Sequence, residues 1–381
     1  MSSSRTLLAD PLAGVKSEEL LWTWADVIPM GVVTLLGGRA GIGKSTFLAW
    51  LTAQLTTGNL DGDLKGRPVH VAFVAGEDDL GRVLKPRLEA AGADLNLITA
   101  LSVRNKDSDG ASWVSMPNIK SDLNELHTFL RDNETKLLII DPLSATMEGD
   151  TNSEQVVRSQ LGRLAHIAGE ENISILAVKH WHKGAGESID RISGSHGFTD
   201  IVRSVLQLVP DEETGQLILS SDKNNYGKSK PSFAYSLETV EVRVREGVSN
   251  LVGKARFLGE TEVRVEDILR RESESNLGDA NKKILDYLKS VQQGTPQEVA
   301  DETGVSRETA TRYLSRLVKN GHVERISQGQ YRAVRTVSPV RMSERSHRTT
   351  GQTGHPARRC PVHDLPNPEG ICGPCEAGIL I

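Results

Sequence analysis

The most constraining feature of this chain is a single short segment. Gly38-Arg39-Ala40-Gly41-Ile42-Gly43-Lys44-Ser45 fits the spacing G-x-x-x-x-G-K-[ST]. An apolar run, Val32 to Leu36, precedes it and reads as a buried strand. A helical stretch from Lys44 to about Thr56 follows. Glycines in such a loop let backbone N–H groups wrap an anion, and the helix that begins at its end points its positive pole at the same place. In a loop of this kind Lys44 reaches the β- and γ-phosphates of a nucleotide and the Ser45 hydroxyl holds Mg2+. Gly38 to Ser45, with Thr46 next in line, are therefore the expected nucleotide-binding residues.

The rest of the front half alternates strands and helices. Val69–Ala75, Leu137–Ile140 and Ile173–Val178 read as further buried strands. Leu80–Ala91, Ile119–Leu130 and Glu154–Gly169 read as helices, and 104–117 as a polar loop. This alternation predicts an α/β fold: a mostly parallel sheet with helices on both faces and right-handed crossovers. From about residue 200 the pattern shifts to short strands (Val205–Val209, Gln216–Ser221, Ser232–Leu237) that suit an antiparallel edge, and 241–260 carry no clear signal. Trp22 and Trp24, in the lead-in, read as packing residues.

Ligands bind such sheets at the carboxyl ends of the strands, so polar residues at those ends matter. Asp141 closes the run Leu137-Leu138-Ile139-Ile140 and suits Mg2+ positioning; the alternative is a capping role before Pro142. Glu77, in Ala75-Gly76-Glu77-Asp78-Asp79, suits orienting and deprotonating an attacking water. Its alternative is membership of a turn in which Asp78 or Asp79 caps the next helix. His180 stands where a side chain can touch a γ-phosphate and report its loss, or else is a satisfied structural histidine. His180 and His182 share a strand face, but no third ligand completes a metal site.

Taken in order, the loop 38–45, Glu77, Asp141 and His180 resemble a RecA-like P-loop ATPase core. The segments Ile28-Pro29-Met30-Gly31, Ile140-Asp141-Pro142-Leu143, Arg191-Ile192-Ser193-Gly194-Ser195 and Lys223-Asn224-Asn225-Tyr226-Gly227 are similar, more narrowly, to the RepA-type hexameric helicases of plasmids, phages and mobile elements. That resemblance covers about residues 20–240. It implies ATP and Mg2+ as ligands, a ring of six copies, and ATP at each interface, completed by a basic residue of the neighbour. Arg203 and Lys223 are the candidates, each with a plain surface role as the alternative. It also implies that the Gly-rich loop 183–197 faces a central channel, with Lys183 and Arg191 on the phosphates of a single strand. A primase or replication initiator would be a further partner.

The net charge of −5 conceals an asymmetry, because the front is acidic and residues 277–359 are basic. A basic rear suits nucleic acid. Ala280–Gln293 carries a helical stripe, Thr295-Pro296-Gln297-Glu298 is a capping box, and Gly304-Val305 turns the chain. Ser306 caps a third helix, Arg307–Asn320, and 322–334 read as a hairpin around Gln328-Gly329. The segment resembles a winged helix-turn-helix domain for duplex DNA. Its third helix would bury Ala310, Leu314, Leu317 and Val318. It would leave Arg307, Thr309, Thr311 and Arg312 for base edges and Arg316 for phosphates.

All three cysteines lie in the last 22 residues. Cys360-x2-His363 and Cys372-x2-Cys375 pair as the knuckles of a structural Zn2+ site; a redox pair or free thiols are the alternatives. The expected organisation is an ATPase domain over 1–262, a linker over 263–278 and a winged helix-turn-helix over 279–335. A disordered basic linker over 336–359 and a zinc knuckle over 360–381 complete it. So few cysteines, with no apolar leader and no membrane span, point to the cytoplasm. Two function classes fit: a ring-forming DNA helicase or translocase acting in replication, and an ATP-switched DNA-binding regulator or recombination mediator that never unwinds DNA.

Overall fold

The computed structural model describes residues 7, 9–76, 78–181, 198, 201–227, 230–275 and 279–334. A short antiparallel pair, β1 (Trp22–Trp24) and β2 (Ile28–Pro29), leads into β3 (Val33–Gly38). Then come α1 (Lys44–Thr56), β4 (Val71–Ala75), α2 (Lys85–Ala91) and β5 (Ile98–Ala100). A wide π-type turn, Leu80–Leu84, opens α2, so the helix expected over Leu80–Ala91 is shorter and begins irregularly.

The expected polar loop 104–117 holds a hairpin instead, β6 (Val103–Lys106) with β7 (Ser112–Ser115). Its turn is closed by the Asp107 carboxylate, which accepts from the backbone N–H of Asp109 and Ala111. The chain continues through α3 (Leu123–Asp132), β8 (Leu137–Asp141), α4 (Glu154–Glu171) and β9 (Ser174–His180). A meander follows: β10 (Ser204–Asp211), β11 (Gln216–Asn224), β12 (Ser232–Arg245) and β13 (Val248–Glu260).

These strands form one nine-stranded sheet in the order β13-β12-β11-β10-β3-β9-β8-β4-β5. Neighbours from β10 to β5 are parallel, and the meander is antiparallel. The parallel strands are short apolar runs because both their faces are covered. Alternate residues divide between two cores. Leu36, Leu176, Ile139 and Phe73 pack under α1 and α2; Leu35, Ile175, Leu138 and Val74 pack under α3 and α4. The signal-poor segment 241–260 is the end of β12 and the whole of β13; Val240, Val242 and Val244 alternate there with charged residues, but most of the segment is exposed, so its apolar residues are sparse.

Aromatic residues are scarce in this chain, yet Trp24, Phe47, Trp50, Phe233, Tyr235 and Phe257 gather where α1 meets the meander. The Trp24–Phe233 centroids are 4.7 Å apart and those of Trp50–Tyr235 5.0 Å. Trp24 is thus a packing residue, as its sequence context implies. Burial raises the Tyr235 phenol well above the ordinary tyrosine range.

The stretch 263–278, expected as a linker, contains α5 (Val265–Ser275). Its charged sequence hides one apolar face. Val265, Ile268 and Leu269 are buried against Val209, Ile218 and Ala234 of the meander. After it come α6 (Asp279–Val291), α7 (Pro296–Thr303), α8 (Arg307–Lys319), β14 (Val323–Ser327) and β15 (Gln330–Ala333). The last two strands pair antiparallel. Ile284, Leu288, Val299, Ala310, Leu314, Leu317 and Tyr331 share a core of their own. The capping box forms: Glu298 N–H donates to Thr295 Oγ1 (3.2 Å), and Thr295 N–H donates to Glu298 Oε2 (2.7 Å). Those hydrogen bonds hold the Glu298 carboxyl below its ordinary range. Val318, expected inside, is 36% exposed; the buried face of α8 turns through Ala310, Leu314 and Leu317 and leaves Val318 beside it.

Among the described residues, no helix is long and apolar enough to cross a membrane. The basic linker 336–359 and the cysteine tail lie outside the described residues.

Phe47→Ala should lower the unfolding free energy by about 3–5 kcal/mol, since it removes a fully buried ring packed against Trp50 and Tyr235. Tyr235→Phe should leave stability unchanged or raise it, because the buried hydroxyl has no hydrogen-bond partner among the described residues. Urea denaturation followed by tryptophan fluorescence reads both.

Candidate functional site

Strand register brings the chemistry-bearing residues together. Gly38 pairs with His180 and Ala75 with Asp141, so the carboxyl ends of β3, β9, β4 and β8 share one edge of the sheet. The loop 38–45 opens from the central strand at this edge. Gly43 has φ 102°, a left-handed conformation that frees the start of α1 from the strand direction. A Cβ on Gly38 would lie 2.7 Å from the Leu208 carbonyl oxygen, so the loop is closely backed by β10.

Lys44 is buried at the floor of the loop. Its Nζ donates to the carbonyls of Gly38 (3.2 Å) and Arg39 (2.7 Å) and stands 3.0 Å from His180 Nδ1. His180 Nδ1 is thus placed where it can accept from the Lys44 ammonium. Ser45 Oγ donates to Asp141 Oδ2 at 3.3 Å. A hydroxyl and a carboxylate side by side supply the hard oxygen ligands that Mg2+ prefers. Asp78 and Phe73 line the cleft beside this pair.

Arg39, on the outer side of the loop, reaches away from it. Its guanidinium is paired with Glu272 of α5 and lies 6.0 Å from the centroid of the Trp181 ring. Of the carboxylates after β4, Asp79 is the cap: its Oδ1 accepts from Gly81 N–H (3.0 Å) and Arg82 N–H (2.7 Å). Asp78 pairs with Arg87 at 2.6 Å. Glu77 lies outside the described residues, as do His182, Lys183 and Arg191.

Arg203 and Lys223 are not at this edge. Ser204 begins β10 level with Thr34 of β3, and Val205 pairs with Lys223. Asn225 N–H donates to the Arg203 carbonyl at 3.0 Å. Both basic residues therefore lie toward the opposite edge of the sheet, with Arg203 five residues of strand from Gly38, about 16 Å at 3.3 Å per residue.

On α8, Arg307, Thr311, Arg312 and Arg316 are exposed. Thr309 is half-buried, and the Ser306 hydroxyl donates to its Oγ1 at 2.9 Å, so the helix cap occupies its side chain. Among the described residues no three His, Cys, Asp or Glu side chains converge as a metal site. Cys360, His363, Cys372 and Cys375 lie outside the described residues.

One residue at this edge is missed by motif spacing. Lys179 is buried on the far side of β9 from His180, with its ammonium 4.5 Å from the Phe198 ring centroid. Burial lowers its pKa. A lysine directly before His180 at a buried strand end was the available signal.

Residues 3–186 match the family model described as an AAA domain, and residues 283–327 match that of the IclR helix-turn-helix domain. The chain joins a RecA-like P-loop ATPase domain to a helix-turn-helix domain. It is 24% identical over 213 residues to the DNA repair protein RadA of Chlamydia muridarum, covering 55% of this chain and 40% of that protein. It is 25% identical to the same-named protein of Synechocystis sp., over 62% of this chain and 43% of the relative. It is 30% identical to the DNA repair protein RAD51 homolog 2 of Arabidopsis thaliana, over 35% of this chain and 36% of the relative. The chain thus spans well under half the length of these curated relatives. They carry the names of repair proteins; the narrower likeness to RepA-type helicases has no counterpart among them.

Lys179→Met should be as stable as the natural chain or more so at neutral pH, because it removes a desolvated ammonium. The fold lowers this pKa below its ordinary 10.5, so the unfolded chain holds more protons as pH climbs toward that value. Stability of the natural chain therefore rises with pH over that window, relative to Lys179→Met. Thermal melts of the two proteins from about pH 7 to pH 10 check this; a constant difference would refute it.

Proposed function

We propose that this chain is an ATP-driven DNA motor, a translocase or helicase that works as a ring of copies and is placed on duplex DNA by its helix-turn-helix unit. The observation that carries the reading is the meeting of Lys44, Ser45, Asp141 and His180 at one sheet edge, at the mouth of a phosphate-wrapping loop. In it, Lys44 leaves its loop carbonyls to meet the β- and γ-phosphates of ATP, and the N-terminus of α1 adds its dipole. Ser45 and Asp141 would hold Mg2+, which when bound neutralises charge on those phosphates. Glu77 takes the proton of the water that attacks the γ-phosphorus in line, as the bond to the ADP oxygen breaks. His180, in contact with Lys44, registers the loss of phosphate. It passes the change to the loop 183–197, where Lys183 and Arg191 hold the single strand.

A ring is supported by the place of Arg203 and Lys223. Each lies too far along the sheet to serve its own loop, whereas a neighbouring copy could be reached from that edge. A basic residue supplied this way stabilises charge on the transferring phosphoryl group. On the duplex, Arg307, Thr311 and Arg312 of α8 are the exposed candidates for base edges and Arg316 for phosphate, with Thr309 confined to the cap. Cys360, His363, Cys372 and Cys375 complete the reading as a structural zinc knuckle. A second reading, a repair or recombination ATPase that does not unwind DNA, is favoured by the names of the relatives.

Steady-state ATP hydrolysis, with and without single-stranded DNA, tests the motor. Strong stimulation by single strands and strand separation on a forked duplex are expected. Slow hydrolysis indifferent to single strands favours the second reading. Lys44→Ala should abolish turnover, and Glu77→Gln should abolish turnover while still binding ATP; normal hydrolysis by Glu77→Gln would remove it as the base. Deleting 279–381 should weaken duplex binding, read by fluorescence anisotropy, and leave basal hydrolysis intact.

A further inference from the structure

The geometry points to Glu272 as a positioning residue that balances the charge of Arg39 beside the nucleotide loop and so holds down the loop's affinity for the nucleotide. This rests on the nucleotide-binding reading above and adds a control to the same loop. Arg39 is the second residue of the loop, yet its guanidinium faces α5. Both terminal nitrogens meet the Glu272 carboxylate: Nη1 donates to Oε1 at 3.3 Å, and Nη2 donates to Oε2. The Trp181 ring flanks the guanidinium, and that indole is itself fixed, its Nε1 donating to Gln207 Oε1 at 2.6 Å.

Glu272 is presented from a firmly seated helix. Ile268 and Leu269 are buried in the meander core, and Arg271 is tied to Asp211 (3.2 Å) and to Glu213. Arg264, just before α5, donates to the carbonyls of Lys230 (2.6 Å) and Ser221 (3.0 Å). The side chains of the Arg39–Glu272 pair are 47% and 24% exposed, so the contact adds little to folding. Its consequence is local charge. A carboxylate on this helix faces a loop built for polyanions, and Arg39 neutralises it. The pair itself is neutral. Loss of the carboxylate would add one positive charge to the outer side of the loop, and loss of the guanidinium one negative charge. α5 is also the last helix before the helix-turn-helix unit, with only residues 276–278 between α5 and α6. The loop and the arm that leads to the DNA reader therefore share one ion pair.

The test is titration calorimetry of ADP with Mg2+ into the full chain and three variants, at low and high salt. Glu272→Gln should tighten binding and Arg39→Ala should weaken it, each by about three- to tenfold at low salt. The Arg39→Ala/Glu272→Gln double variant should return close to the natural affinity. The shifts should shrink as salt rises. A purely structural pair would behave otherwise, with both single variants weakening binding and the double variant failing to recover. That pattern, or no shift in either single variant, overturns the inference while leaving the ATPase reading intact. A natural chain that binds no ADP overturns both. Misfolding cannot produce tighter binding, so the Glu272→Gln arm stands even if Arg39→Ala is unstable.

Discussion

Everything in the front of this protein hangs on the double pairing of β3. The strand is hydrogen-bonded to β10 on one side and β9 on the other, and both its faces are buried. With no free edge and no free face, its register cannot drift. Because the phosphate loop is the direct continuation of this strand, its position is set as firmly as the core. The partner strands are held the same way, so His180 and Asp141 arrive at the loop as consequences of backbone pairing. The loop itself needs only glycines where the backbone turns and one lysine that folds back on its own carbonyls.

The parts of the fold that were legible in sequence are those in which local pattern and burial agree. Buried parallel strands must be apolar throughout, so β3, β4, β8 and β9 could be located to within a residue or two. The capping box at Thr295 and the Ser306 cap use hydrogen bonds between neighbours in sequence, which spacing alone reveals. The β6–β7 hairpin is largely solvated and carries few apolar residues, while the alternating valines at the end of β12 were the available strand signal there. Helix α5 escaped for another reason. Its Arg-Arg-Glu-Ser-Glu-Ser stretch has the composition of a linker, and its one apolar stripe gains meaning only against the meander, which comes from residues far away in sequence.

The site divides in the same manner. Lys44, Ser45, Asp141 and His180 were legible because strand ends in a parallel sheet converge, a rule that converts a linear order into a place. Arg39 was legible as a loop residue but not as the partner of Glu272, since 233 residues separate them. Lys179 is invisible to motif spacing because its role, whatever charge it meets, depends on burial. The distance of Arg203 from the loop is likewise a property of strand direction: β10 runs parallel to β3, so what enters at its beginning is a strand's length from the loop.

That last arrangement has a mechanical side. A chain with its phosphate loop at one end of the central strand and its basic pair toward the other is a polar unit, with a head and a tail. In the ring proposed above, such units would meet head to tail. A contact of head to tail repeats without limit until geometry closes it, whereas head to head would bring two phosphate loops, and their bound charges, face to face. Directionality along any thread held by such a stack would then be a property of each subunit's strand order, present before a second copy arrives.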